Sequence, residues 1–257
     1  MDNASTDGTA SYIRKKYPDV MLITNKKNKG FAAAVNQAID ASGSKFIILI
    51  NADCEVYKHS MDKLIDYFRD NPKMAVAGPR ILNSDGSIQY SCRTFPSFFA
   101  AAVHTLLVHI YPNNPVTRKY KLMDVSRDEP FSVDWVSGSC MMIRRSALKD
   151  TGNFEGKYFM YVEDIDLCYR MWQNGWEVHY VPYSEVRHHG AGSSKGKSRE
   201  KKSRKVAVRA SYRMQRSVFY FFWKNYKGTF RVLLIPFIMT ALAFRLFIAT
   251  IKSLINA

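Results

Sequence analysis

Cysteine is scarce in this chain of 257 residues, and the signatures of several enzyme classes are missing from it. The four cysteines are widely spaced and form no CxxC pair, which is typical of reduced thiols in the cytosol and argues against a disulfide framework or a zinc site. They are Cys54, Cys92, Cys140 and Cys168. The motifs GxxxxGK[ST] and GxGxxG are absent, so nothing predicts a P-loop enzyme or a dinucleotide-binding domain.

Acidic residues are almost missing from the last quarter of the chain. Residues 195–257 contain 15 lysines and arginines and a single acid, Glu200, whereas residues 1–194 are close to neutral. A basic tail can bind nucleic acid, with its aromatic side chains stacking on bases, or anionic lipid. Residues 232–251 are too apolar for a nucleic-acid surface. We therefore expect no nucleic-acid partner and predict a membrane-associating appendage over 195–257.

The tail is expected to lie on the cytoplasmic face of the cell membrane. Residues 219–223 are aromatic and would sit at the headgroup level. Residues 232–251 approach the length of a spanning helix, but Pro236 and Arg245 interrupt them, which favours helices in the interface or a shallow insertion. The alternative is a C-terminal helix packed on the core of the chain itself.

Strand and helix signals alternate along residues 1–194, which predicts a single α/β domain. Strands are expected over 20–23, 46–50, 74–77, 133–136, 140–144 and 176–181. Helices are expected over 10–16, 31–39, 61–69, 98–110 and 164–173. The run 46–50 is apolar throughout, as in strands of sheets that are covered on both faces.

Polar side chains with catalytic potential follow the strand 46–50. Asn51 and Asp53 come just after its carboxyl end, where open α/β sheets place their ligands, and a carboxylate there can hold a cation bound to diphosphate oxygens. The alternative is an Asx turn that only ends the strand. Further upstream, Asn28 and Gly30 precede a helix, which is a weak indication of a phosphate- or base-binding loop.

Three acids stand at the start of the helix predicted from residue 164, namely Glu163, Asp164 and Asp166. The helix dipole would stabilise them, and an ordinary acidic N-terminus is the alternative interpretation. The apolar residues 159–162 would half-bury them, which is costly without partners and suits a general base. Later, His188 precedes a glycine- and serine-rich loop, where it could complete the shell of a divalent metal.

Taken together in this order, these stretches resemble the family 2 glycosyltransferases of GT-A fold, in particular the rhamnosyltransferase-like branch that builds bacterial surface polysaccharides. Residues 2–9 (DNASTDGT) resemble the family's DNASxDGT loop. The other matches are residues 28–36, Asn51–Asp53 in place of the DXD motif, 135–145, 163–170 (EDxDLCxR), and 188–193, where Ala191 replaces a glycine. The resemblance covers about residues 1–194.

The resemblance implies a mixed sheet flanked by helices and a role for each matching residue. Asp164 would be the catalytic base, and Asp53 and His188 would bind a divalent metal, Mn²⁺ or Mg²⁺. The donor nucleotide would contact Asp2, Asn28, Gly30, Asn51 and Asp53. The acceptor side would comprise Trp135, Gly138, Ser139, Glu163 and Asp166.

The implied reaction is an inverting transfer without an enzyme nucleophile. An acceptor hydroxyl, deprotonated by Asp164, attacks the anomeric carbon of a nucleotide sugar. The donor would carry rhamnose or a hexose, and the acceptor would be a polyprenol-linked or other glycan.

Members of this family begin with a strand, a helix and a second strand before the DNASxDGT loop, whereas this sequence begins at that loop. We therefore expect a domain that lacks this unit, with an unpaired sheet edge near the nucleotide site and a frayed Asp2. A catalytically impaired remnant of the fold is the alternative to an active enzyme.

Overall fold

The computed structural model describes residues 1–97, 111–190 and 204–226 together with the single residue 243, and it describes side chains of the last helix from residue 209 onward. The helices in these ranges are α1 (Thr9–Lys16), α2 (Phe31–Asp40), α3 (Ser60–Asp70), α4 (Pro115–Tyr120), α5 (Arg145–Thr151), α6 (Glu163–Gln173) and α7 (Arg204–Asn225). The strands are β1 (Phe46–Ile50), β2 (Cys54–Val56), β3 (Met74–Leu82), β4 (Ile88–Gln89), β5 (Cys92–Arg93), β6 (Phe131–Ser132), β7 (Trp135–Val136), β8 (Cys140–Arg144) and β9 (Glu177–His188). The helix predicted over 98–110 lies outside the described residues.

A mixed sheet forms the centre of the molecule, in the strand order β1-β8-β3-β9-β2. β3 and β9 run parallel, whereas β8 is antiparallel to both β1 and β3, and β2 is antiparallel to β9. The short strand β4 pairs with β3, and the short strand β6 pairs with β9. Strands β5 and β7 form a separate two-stranded ribbon. The predicted fold class, a mixed sheet flanked by helices, is therefore confirmed.

Apolar side chains cover both faces of the central strands. On one face Leu64 and Phe68 of α3 pack against Met74 and Met142 of the sheet, and all four are fully buried. The larger cluster, on the helices α2, α6 and α7, contains Ala32, Leu167 and Phe221 among others. At about 25 cal/mol per Å² of buried apolar area, these clusters supply most of the drive for folding.

The helix α7 packs on this core, which corrects the expected membrane position of residues 219–223. Phe221 and Phe222 are only 2% and 4% exposed, and the ring of Tyr220 contacts that of Tyr158 at 5.1 Å between centroids. Trp223 remains 44% exposed. An apolar helix face is stabilised equally well by protein or by lipid, and here the core supplies the partner. α7 therefore follows the alternative interpretation, in which a C-terminal helix packs on the core of the chain itself.

None of the helices among the described residues combines the length and the apolar character that a membrane crossing requires. Residues 232–251, on which the shallow insertion was predicted, lie outside the described part of the chain. The division of the chain at residue 194 and the membrane contact of its tail stay predictions.

The first 25 residues differ from expectation. Residues 20–23 form no strand, and Val20 and Met21 are 55% and 72% exposed, because no neighbouring strand in the described part of the chain lies against them. Thr24 instead makes an isolated parallel bridge with Asp2. The backbone of Asp2 is held by two hydrogen bonds, from its N–H to the carbonyl of Ile23 (2.8 Å) and from the N–H of Asn25 to its carbonyl (2.9 Å), so it is not frayed.

β1 is the edge strand of the sheet on its side, since among the described residues it pairs only with β8. It is not buried on both faces as its composition predicts: Ile47 is buried, but Ile50 is 44% exposed. The expectation of a missing N-terminal unit stays a prediction.

Candidate active site

Asp53 and His188, far apart in the sequence, are brought together by strand pairing. In the antiparallel pair of β2 and β9, Cys54 lies opposite His188. The carboxylate Oδ1 of Asp53 is 3.2 Å from Nε2 of His188, and the carbonyl of Asp53 accepts a 2.9 Å hydrogen bond from the N–H of His189. The ligand atoms of Asp53, Cys54 and His188 all lie within 4.8 Å of one another.

The surroundings of His188 suit a cation. Its Nδ1 lies 3.0 Å from Oε1 of Gln89, an amide oxygen that can only accept, so Nδ1 carries the hydrogen. In the neutral ring Nε2 then turns a lone pair toward the Asp53 carboxylate, and two acceptors at this distance need a cation or a proton between them. A carboxylate and an imidazole fit Mn²⁺ well. Gln89 was not predicted, because nothing in the sequence around it marks it.

Cys54 contributes the third potential ligand atom of this cluster. Burial, and then the charge on Asp53, raise the pKa of its thiol to about 11. The protonated thiol donates to the carbonyl of Ser139 at 3.4 Å. The same carbonyl accepts the N–H of Asn51 at 2.9 Å, so Asn51 and Ser139 join the ends of β1 and β8 through their backbones.

Asp164 is held at the first turn of α6 by backbone donors. Its Oδ2 accepts the N–H of Gly138 at 3.0 Å, and its Oδ1 accepts the N–H of Ile165 at 2.9 Å. Burial raises the pKa of Asp164, while the two N–H groups and the charge of Arg93 oppose that rise. The structure thus brings Gly138 and Asp164 together and supplies a carboxylate of fixed orientation and increased basicity.

Glu163, its neighbour, is in a different electrostatic state. The side chain is 7% exposed, and its buried Oε2 has no hydrogen-bond partner among the described residues. Burial, and then the charge of Asp164, raise the pKa of Glu163 to about 8. A pKa of about 8 keeps Glu163 protonated at neutral pH.

Glu163→Gln is expected to stabilise the protein at alkaline pH. An acid whose pKa is raised on folding contributes stability that is present below its ordinary pKa of 4.5 and is lost as the pH rises through about 8. Glutamine cannot ionise, so the free energy of unfolding of the variant should exceed that of wild type by about 1–3 kcal/mol at pH 9, since one pKa unit is worth about 1.4 kcal/mol. Urea unfolding at pH 5 and pH 9 measures this. A constant difference between the two proteins at both pH values would contradict it.

The segment in front of α6 is strained. Tyr161 and Val162 have φ angles of +72° and +71°, in the left-handed region. This conformation costs about 1–3 kcal/mol for each residue other than glycine. Two helices hold this segment through hydrogen bonds. The hydroxyl of Ser217 in α7 donates to the carbonyl of Met160 (3.1 Å), and the N–H of Phe31 in α2 donates to the carbonyl of Phe159 (2.7 Å). The position of the acids thus depends on both α2 and α7.

Asn3 organises the loop predicted to bind the nucleotide. Its Nδ2 donates to Oδ1 of Asn28 (3.1 Å) and to the carbonyl of Gly30 (3.0 Å), and Oδ2 of Asp2 accepts the N–H of Ser5 (3.2 Å). Gly30 has a φ of +88°, and a Cβ there would lie 2.5 Å from the carbonyl oxygen of Phe159. Asp2, Asn28 and Gly30 are thus close together, and glycine is required by close packing as well as by its dihedral angle.

Two residues predicted for the acceptor side have buried protein partners of their own. Asp166 is two residues further along α6, hence on nearly the opposite side of the helix, and is fully buried against Tyr158, Arg170 and Lys224. Trp135 is 6% exposed, and its ring N–H donates to the carbonyl of Thr94 at 2.9 Å.

Residues 1–212 match the family described as "Glycosyltransferase like family 2". The chain belongs to this family. Among its relatives, the N-acetylglucosaminyl-diphospho-decaprenol L-rhamnosyltransferase of Mycobacterium tuberculosis is 37% identical over 204 residues, covering 75% of this chain and 66% of that protein. Rhamnosyltransferase WbbL of Escherichia coli K12 is 29% identical over 167 residues, covering 63% of this chain and 59% of WbbL. This family 2 chain thus spans under two thirds of the length of either relative.

Solved structures support the GT-A fold of this family 2 glycosyltransferase. The crystal structure of GalNAc-T7 with UDP, GalNAc and Mn²⁺ superposes with a TM-score of 0.52 at 17% identity, covering 82% of this chain and 43% of the other. The mannosyltransferase PcManGT of Pyrobaculum calidifontis, in complex with GDP-Man and Mn²⁺, gives a TM-score of 0.51 at 15% identity, covering 95% of this chain and 63% of the other. At such identities the likeness extends to the fold alone.

Proposed function

We propose that this protein transfers a sugar, rhamnose or a hexose, from a nucleoside diphosphate donor to a hydroxyl of a lipid-linked or polysaccharide acceptor, with inversion at the anomeric carbon. The observation that carries the proposal is the pairing of an oriented carboxylate, Asp164, with a separate acid–imidazole pair, Asp53 and His188. Family membership and the names of the two rhamnosyltransferase relatives support the substrate class.

The base in this mechanism is Asp164. Both of its oxygens are anchored by backbone N–H groups, which leaves the remaining lone pairs to accept the proton of the acceptor hydroxyl. The oxygen then forms a bond to the anomeric carbon as the bond from that carbon to the diphosphate breaks. The protonated Glu163 next to it adds no second negative charge at neutral pH.

Asp53 and His188 would hold a divalent metal, which neutralises the charge that develops on the leaving diphosphate when it is bound. Gln89 keeps His188 in the tautomer that directs Nε2 at the metal position. Asp2, Asn28 and Gly30 form the loop proposed to receive the nucleotide.

The test is mass spectrometry of the products formed by the full chain from a panel of nucleotide sugars and a lipid-linked acceptor, with and without EDTA. We expect product that EDTA abolishes and Mn²⁺ or Mg²⁺ restores. Asp53→Ala should weaken metal-dependent donor binding by about 10-fold or more, because one ligand is lost. Glu55→Ala removes a neighbouring exposed acid on β2 and is the matched control. Donor binding without product would identify a catalytically impaired member of the family.

We also propose that the protein acts at the cytoplasmic face of the membrane, held there by residues 195–257. Of the 15 basic residues of this segment, Lys224 pairs with Asp166 within the fold; each of the others would contribute up to about 1 kcal/mol near anionic lipid. The full chain should float with anionic liposomes at low salt and less so at high salt. A protein that sediments away from these liposomes at low salt would overturn this proposal without affecting the assignment of Asp164.

A further inference from the structure

A cavity of about 650 Å³ lies beside the proposed metal pair. It is lined by residues of the hairpin that ends in β4, by Arg93 of β5 and by Lys121, which follows α4. Gln89 lines this cavity and also contacts Nδ1 of His188, so the cavity lies next to that residue. Its volume is within the range of about 300–1,000 Å³ that is usual for ligand sites.

Arg93 is held ready for a ligand. Its guanidinium carbon is 5.5 Å from the ring centroid of Tyr120 and 5.2 Å from that of Trp135, while its Nε donates to the carbonyl of Tyr90 at 3.2 Å. Within the described ranges its two terminal nitrogens have no protein acceptor and no carboxylate pairs with it. A guanidinium oriented in this way presents a planar pair of donors, which matches a phosphate.

Lys121 adds a second cation to the same cavity. Burial, and then the charge of Arg93, lower the pKa of Lys121. Among the residues that the structure describes, no acid forms an ion pair with Lys121. Arg93 and Lys121 thus line the same cavity, and two cations side by side attract an anionic group.

We propose that this cavity binds the phosphate or diphosphate group of the acceptor, with Arg93 and Lys121 as its ligands. The inference rests on the proposed function, since it assigns part of the acceptor. Asp2, Asn28 and Gly30, which are proposed to receive the donor nucleotide, do not line the cavity.

The position of the base agrees with this assignment. Arg93 stacks on the ring of Trp135, and Gly138, three residues further along the chain, donates its N–H to Asp164 at 3.0 Å. An acceptor whose phosphate contacts Arg93 would therefore place the sugar next to that phosphate near Asp164, where its hydroxyl loses the proton. The chemical class implied is a sugar joined to a lipid through phosphate.

Binding to the full chain tests the proposal without requiring turnover. The probes are farnesyl diphosphate, its alcohol farnesol, and the nucleotides UDP and dTDP, measured by calorimetry on wild type, Arg93→Gln and Lys121→Gln. Each variant should weaken farnesyl diphosphate binding by about 10-fold or more, the usual effect of losing one charged hydrogen bond, and leave farnesol and nucleotide binding unchanged. Lys119→Gln, on the exposed side of α4, removes the same charge and should bind farnesyl diphosphate within about twofold of wild type.

Three results would overturn the proposal: no farnesyl diphosphate binding by wild type, unchanged binding in both variants, or loss of nucleotide affinity in their place. The last would assign the two cations to the donor. If binding follows expectation but no sugar is transferred by wild type, the cavity assignment stands and the proposed function fails. Lys121→Gln, at a half-buried position after α4, keeps the test valid if Arg93→Gln does not fold.

Discussion

Asp164→Asn is expected to lower kcat by about 10²–10⁴-fold, the usual contribution of a general base, while donor affinity remains close to that of wild type. The carboxylate accepts two backbone N–H groups, one on each oxygen, and an amide can accept only one of them. A modest loss of stability should accompany the loss of turnover. Steady-state kinetics with the lipid-linked acceptor, and calorimetry with the donor, separate these effects.

Glu163→Gln is the matched control for this experiment. It removes the adjacent carboxyl without changing its shape, and because Glu163 is protonated at neutral pH the substitution should leave kcat at pH 7 nearly unchanged. If Asp164→Asn kept near wild-type turnover while Glu163→Gln did not, the roles assigned to the two acids would have to be exchanged.

Asp166→Ala is expected to destabilise the fold by about 3–5 kcal/mol, because it leaves two partly buried cations without their counterion. The Asp166 carboxylate is fully buried and contacts Nε of Arg170 at 2.9 Å, Nζ of Lys224 at 2.9 and 3.0 Å and the hydroxyl of Tyr158 at 3.1 Å. Lys224 belongs to α7, so this network joins α6 to the C-terminal helix. Urea unfolding of the full chain gives the change in free energy.

The control for Asp166 is an ion pair of the same type on the surface. Asp66 and Arg69 lie 3.0 Å apart on α3 with 67% of each side chain exposed, and Asp66→Ala should cost no more than about 1 kcal/mol. Adding Lys224→Met to Asp166→Ala should recover part of the lost stability, since it removes one of the unpaired charges. Equal effects of Asp66→Ala and Asp166→Ala would show that the buried network is not what holds α7 in place.

The sequence predicted the features that a short stretch of residues determines. Helices α2, α3 and α6 and strands β1, β3 and β8 follow from local periodicity and from glycine or proline at their ends, since such signals act within a few residues. The family resemblance rests likewise on short motifs. They led to Asp53 and His188 and to Gly138 and Asp164, pairs that the structure brings into contact.

What depends on remote segments was decided only by the tertiary structure. Residues 20–23 have strand propensity, but a strand needs a neighbour to pair with. Gln89 and Arg93 acquire their roles from His188 and from the rings around the cavity, and neither partner is close in sequence. The face of α7 that carries Phe221 and Phe222 is apolar by sequence, which is compatible with contact to protein or to lipid. The tertiary structure decides between them, because it packs this face against the core.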